Sequence, residues 1–171
     1  MADRPAYSVR VRALIIRDGM VLVFEQVDGG SAREGRDLAG LPPGGKKWYL
    51  LPGGEQTPGE TLPETVAREC MEELGCRIVV GELAFVRDYL AKNHELAHEG
   101  NIHEVEMTFL VKLVEEPDMK RATRPDRPDS APCWLPVSGL SGVELYPKGM
   151  RESIRLIAEG KPHPLYLGEI N

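Results

Sequence analysis

The sequence predicts a layered α/β sandwich, and three features lead there. Two runs near the N-terminus, "YSVRVRALII" and "MVLVFEQV", are rich in β-branched residues. Their centres, "ALII" and "VLVF", are continuously apolar, as in strands covered on both faces. Between Thr61 and Leu74 the residues Leu62, Val66, Cys70 and Leu74 recur every fourth position with Ala67 beside them, the stripe of a helix packed on a sheet. With 171 residues and 42% hydrophobic content, the chain can bury the core of one domain spanning 1–171.

Taken in order, the first two runs form a hairpin. They meet at Arg17-Asp18-Gly19, where Asp-Gly supplies the positive φ of a tight turn. Residues 28–47, "DGGSAREGRDLAGLPPGGKK", are rich in Gly and Pro without periodicity and read as a long loop. "WYLL" is a short strand running into Pro52-Gly53-Gly54. Thr61-Leu62-Pro63-Glu64 is a capping box that starts the helix, and Gly75 is a left-handed stop. Two further strands, "RIVVGELAFVRDYL" and "HEVEMTFLVKL", flank the loop "AKNHELAHEGN". Residues 115–132 hold four prolines among mixed charges and read as a solvent loop. "CWLPV" opens the last ordered section. In "KGMRESIRLIAEG", Met150, Ile154, Ile157 and Ala158 lie at helical spacing, with Gly160 as the stop.

Charge and cysteine usage narrow the function. A formal net charge of -6 disfavours a nucleic-acid duplex or an anionic membrane as partner. An anionic ligand would then need a mediating cation. Cys70, Cys76 and Cys133 are an odd set without a Cys-x-x-Cys pair, which fits a reducing cytoplasm better than a disulfide framework or a structural zinc. The N-terminal stretch carries charges throughout, and its apolar run is too short for a signal or a membrane span.

The predicted helix breaks local rules. Glu69, Glu72 and Glu73 fall within an arc of roughly 100° beside the apolar stripe. Like charges at such spacings cost a few tenths of a kcal/mol per pair, and acids in a last turn oppose the helix dipole by roughly 0.3–1 kcal/mol each. An acidic cluster is ordinarily a solvated face. Here a divalent cation bound by hard carboxylate oxygens, Mg²⁺ or Mn²⁺ rather than zinc, would compensate the violation.

Spacing favours the cation. From Gly54 through Glu60, Arg68, Glu69, Glu72 and Glu73 to Gly75, the stretch resembles the signature box of the Nudix (MutT-like) hydrolases at its fixed positions. Such a match arises by chance in roughly a few per hundred thousand sequences of this composition. Cys70 and Cys76 depart from the aliphatic residues usual in the family, and a small apolar thiol is a mild substitute. "WYLLPGG", the flanking strands and "CWLPV" also look like the family's arrangement.

The resemblance implies an α/β/α sandwich with a mixed sheet between helices. It implies hydrolysis of a nucleoside diphosphate linked to another moiety, assisted by Mg²⁺ or Mn²⁺. Carried over by position, Glu69, Glu72 and Glu73 are metal ligands together with the Gly53 carbonyl, and Gly54 lets the main chain approach the substrate. Arg68 and Glu60 look like the pair that pins the box loop to its helix. For the water-activating base, Glu95, Glu99, Glu104 and Glu106 compete with the box acids. Lys46, Lys47 and Glu106 are candidate substrate contacts, with Trp48, Tyr89 and Tyr146 as candidate stacking partners. Many relatives pair as dimers, so a homodimer is compatible with the resemblance. Some ADP-ribose-cleaving members carry a proline about sixteen residues beyond the box, where this chain reads "YLAKNHE".

Two rival readings compete with this one. His94-Glu95-Leu96-Ala97-His98 matches the His-Glu-x-x-His helix motif of zinc peptidases, with His103 as a third ligand. Only three positions are fixed, and chance supplies such a match in roughly one chain in a hundred. "AKNHELAHEGN" also lacks an apolar stripe to seat a helix, so a loop is expected. A non-catalytic, nucleotide-binding Nudix-like module is opposed by the intact acid set.

Overall fold

A computed structural model describes residues 7–27, 47–94, 102–123 and 130–171. In chain order these hold β1 (Tyr7–Leu14), β2 (Ile16–Arg17), β3 (Met20–Val27), β4 (Lys47–Leu50), β5 (Gly53–Glu55) and α1 (Leu62–Leu74). Then follow β6 (Ile78–Leu90), β7 (His103–Leu113), β8 (Pro132–Pro136), β9 (Leu145–Tyr146), α2 (Arg151–Ala158) and β10 (Tyr166–Glu169). Most of the loop expected at 28–47 lies outside the described residues, as do Glu95, Glu99 and His98.

The strands form two sheets. The larger is mixed, in the order β10-β6-β7-β1-β5, with β1 parallel to β7 and β10 parallel to β6. The smaller is built around β3. Met20 pairs with both Arg17 and Pro136, and Phe24 with both Leu50 and Pro132, so β8 runs along one edge of β3 and β2 and β4 along the other.

The first run is divided between these sheets. The expected hairpin forms, closed by Asp18 (φ 51) and Gly19 (φ 73), but it joins only the short β2 to β3. At Ile15 the chain crosses over. All of β1 pairs instead with β7, from Tyr7 beside His103 to Leu14 beside Leu110. Apolar continuity marks a buried strand without naming its partner, which is why the crossover was not foreseen.

Both faces of the sheets are covered, as the continuous apolar runs require. Val66, Cys70 and Leu74 of α1 pack with Val11 and Ala13 of β1 and with Leu22 and Phe24 of β3. Ile154 of α2 packs with Leu14, Val21 and Val23. Alternate strand residues point to opposite faces, so the two helices lie on opposite sides. This is the expected α/β/α sandwich with a mixed sheet between helices.

Helix α1 has the predicted limits. Thr61 donates its backbone N–H to Glu64 Oε2 at 2.8 Å, and Gly75 (φ 62) donates to the Met71 carbonyl at 3.1 Å. Ala67 is exposed, so it does not belong to the buried stripe. Strands β5, β9 and β10 were not read from the sequence because they are short and owe their form to long-range pairing. Among the described residues, no helix is long and apolar enough to cross a membrane.

Leu74 is fully buried between α1 and the sheets, whereas Val79 in β6 is 56% exposed. Urea unfolding should show Leu74→Ala costing about 2–5 kcal/mol. Val79→Ala should stay within about 0.5 kcal/mol of wild type, as expected of a surface change.

Candidate active site

Strand β5 carries the Gly53–Gly54 main chain between β1 and α1. Gly53 pairs with Arg12 and Gly54 with Val11. A Cβ on Gly53 (φ 145) would fall 2.1 Å from the Val11 carbonyl oxygen, and one on Gly54 would fall 2.4 Å from Glu69 Oε1. Glycine is required at 53, where the approach is to backbone at positive φ, whereas at 54 it makes room for the carboxylate end of Glu69. Gly53 also donates its N–H to Glu73 Oε2 at 2.8 Å. Glu69 and Glu73 are thus folded onto the loop, each only 7% exposed, on a helix with no basic residue in its last turn.

Arg68 and Glu60 form the expected clamp. Arg68 Nε and Nη2 donate to Glu60 Oε1 and Oε2 at 2.7 and 3.0 Å, and Nη2 also reaches the Glu55 carbonyl at 3.0 Å. Its Nη1 donates to Glu69 Oε1 at 2.7 Å and to Glu72 Oε2 at 3.4 Å. Glu60 further accepts from the Thr57 N–H and the Thr65 hydroxyl, and its backbone carbonyl takes Gln56 Nε2. The Arg68 hydrogen bond is the main reason the Glu60 carboxyl is lowered from 4.5 to about 2.

Among the described residues, no three His, Cys, Asp or Glu side chains converge as a preformed metal group. Arg68 draws on Glu69 and Glu72, while Glu73 turns to the Gly53 N–H. The donor set still fits a hard divalent cation, since every candidate ligand is an oxygen. The guanidinium of Arg68 is shared by Glu60, Glu69 and Glu72.

On the sheet face that Arg12 shares with Leu14, away from α1, lies a buried charged group. Glu106 receives Arg87 Nε on Oε1 at 2.9 Å and Arg12 Nε on Oε2 at 2.7 Å. Burial opposes its ionisation, but Arg87 and Arg12 together outweigh burial and hold the carboxyl far below the usual range. Arg10 lies 3.8 Å from Glu104 on the same face. Sequence reading found Glu104 and Glu106 but missed the three arginines. The available signal was the alternation "VRVRA", which by its period of two sets Arg10 and Arg12 on one face of an otherwise apolar strand.

A family model for the NUDIX domain matches residues 6–157. The chain belongs to the Nudix hydrolase family. Its fold is similar to that of the E. coli ORF135 protein, at 17% identity over 92% of this chain and 95% of that one, TM-score 0.65. It is also similar to the MutT protein from Methanosarcina mazei Go1, at 26% identity over 91% and 96%, TM-score 0.56. A third is an ADP-ribose pyrophosphatase from Streptococcus suis 89-1591, at 19% identity over 93% and 96%, TM-score 0.56. No curated protein matches significantly.

The remaining candidates of this Nudix chain are placed as follows. Lys47 opens β4 and pairs with Glu25 on β3 at 2.9 Å, and Lys46 lies outside the described residues. Trp48 is buried edge-on to Tyr146. Tyr89 is buried, with His94 stacked on it at 5.2 Å. His94 has extended backbone (φ -132, ψ -167) after the turn Ala91–Asn93, so the helix that the zinc-peptidase motif needs does not begin there. It pairs with Glu169, while His103 pairs with Asp88 at 2.7 Å.

The Glu60 shift has a definite sign. A carboxyl lowered by folding stabilises the protein above its unfolded value, and that contribution disappears as pH falls through the folded value. Urea unfolding followed from pH 4.5 down to about 2 should therefore show wild type losing stability more steeply than Glu60→Gln. Parallel curves would remove the clamp's contribution to acid sensitivity.

Proposed function

We propose that this Nudix protein, acting as one domain over residues 1–171, hydrolyses the diphosphate linkage of a nucleoside diphosphate joined to another moiety. Nucleoside triphosphates, nucleotide sugars and ADP-ribose define the substrate class, and a reducing cytoplasm is the proposed setting. The seating of Glu69 and Glu73 carries this reading, because two buried acids are packed on a glycine main chain and one of them, Glu73, lies in the last turn of α1, the unfavourable end of a helix.

Glu69, Glu72, Glu73 and the Gly53 carbonyl would hold Mg²⁺ or Mn²⁺, which when bound neutralises the diphosphate and polarises its P–O bonds. Arg68, clamped by Glu60, aims Glu69 and Glu72. Gly54 leaves the space that Glu69 occupies. Water adds to one phosphorus, the bond from that phosphorus to the bridging oxygen breaks, and the water's proton passes to a carboxylate. Glu106 has an arginine on each oxygen, so we assign it to supporting those arginines rather than to taking the proton. Lys46, Lys47 and Gly54 remain the proposed substrate contacts. The names MutT and ADP-ribose pyrophosphatase among the similar structures support a nucleotide substrate.

A panel of nucleoside triphosphates, nucleotide sugars, ADP-ribose and dinucleoside polyphosphates should yield nucleoside monophosphate or pyrophosphate only with Mg²⁺ or Mn²⁺ present. Zinc-dependent peptide cleavage without nucleotide turnover would overturn the assignment.

Without metal, Glu72→Gln should equal wild type in stability or exceed it by a few tenths of a kcal/mol, since it relieves like-charge repulsion. Its turnover should fall by more than about 100-fold, beyond the loss typical of groups that only support a ligand. Mg²⁺ should raise the melting temperature of wild type more than that of the variant, because a ligand of the folded state stabilises by mass action. Full activity and an unchanged Mg²⁺ response in Glu72→Gln would remove that residue from the ligand set.

A further inference from the structure

Arg12 is held at both ends of its guanidinium. Its Nε donates to Glu106 Oε2 at 2.7 Å, while Nη1 donates to the carbonyl oxygens of Leu51 at 3.2 Å and Gly53 at 3.4 Å. The anchor is firm. Glu106 is 2% exposed and carries Arg87 on its other oxygen, and Arg87 in turn donates to the Ile170 carbonyl at 2.8 Å. The guanidinium is therefore aimed, by a buried carboxylate, at two carbonyl oxygens, the nearer that of Leu51 and the other that of Gly53.

The Gly53 oxygen is one of the proposed cation ligands, so this inference rests on the function proposed above. A guanidinium and a divalent cation drawing on one oxygen repel each other, and the repulsion is strong where water is scarce. A diphosphate reverses the balance, because its oxygens are better acceptors for a guanidinium than a neutral carbonyl is.

We propose that Arg12 is a positioning residue that couples cation binding to diphosphate binding. In the free protein it occupies the Gly53 oxygen and keeps cation affinity low. An arriving diphosphate draws Nη1 off that oxygen while Nε stays on Glu106, and the cation then binds more tightly. By linkage, the cation must raise diphosphate affinity by the same factor. Direct attraction between cation and diphosphate also couples the two, so the share that belongs to Arg12 is the part that Arg12→Gln removes.

Mn²⁺ titrated into metal-free protein, with free Mn²⁺ followed by electron paramagnetic resonance, tests this with and without methylenediphosphonate as the probe, a protein-free titration giving the Mn²⁺ that the diphosphonate itself binds. Wild type should bind Mn²⁺ about tenfold more tightly when the diphosphonate is present, a typical size for coupling between two sites. Arg12→Gln should bind Mn²⁺ more tightly than wild type in its absence and should lose most of the tightening. Arg12→Lys, which keeps the charge, should recover part of it.

A measurement on unaltered protein stands beside the variants. In nitrogen NMR of the arginine side chains, methylenediphosphonate with Mg²⁺ should move the Arg12 Nη signals and leave the Nε–H bonded to Glu106. If wild type binds no Mn²⁺ under either condition, the proposed function falls and this inference with it. If wild type shows the coupling and Arg12→Gln keeps all of it, or the Nη signals stay still, only the inference on Arg12 falls.

Discussion

The close approach of α1 to the Gly53–Gly54 main chain is the constraint on which the rest of this structure depends. Glu69 fills the space a side chain at Gly54 would take, and Glu73 receives the Gly53 N–H. The second contact holds an acid in the last turn of α1, where a helix least tolerates one, at roughly 0.3–1 kcal/mol against the dipole. The apolar side of the same helix outweighs that cost. Val66 and Leu74 are at most 1% exposed, and burying such side chains contributes about 1.5–3 kcal/mol apiece. Packing therefore holds the carboxylates in an arrangement that electrostatics alone would spread apart.

Two arginine clusters frame that arrangement and differ in what they contribute. The Arg68–Glu60 clamp is partly exposed, so solvent screens its contribution to stability, and its geometry directs Glu69 and Glu72. The Arg12–Glu106–Arg87 group is buried, and taking such charges out of water offsets much of their attraction. A fold retains a group like that at little net gain in stability. Arg12 of that group reaches the Gly53 carbonyl, beside the acids of α1.

Legibility followed the range of the interactions. Helix α1 was readable to the residue because its cap, stripe and stop are local, within Thr61 to Gly75. The glutamates, with Arg68 and Glu60, were readable through their spacing. Arg12 and Arg87 were not, since their meaning depends on a shared partner, Glu106, 94 and 19 residues away in the chain. The hairpin turn was seen, but the transfer of β1 into the other sheet was not.

The sequence alone determined which residues carry charge, where α1 begins and ends, and that glycines stand at 53 and 54. Those properties follow from side-chain chemistry and from contacts within a few turns of chain. Only the tertiary structure decided that β1 lies between β7 and β5, with Arg12 beside Gly53 and Glu106 within its reach. Strand pairing is chosen by burial summed over two whole sheets and two helices, so no local stretch of residues contains it.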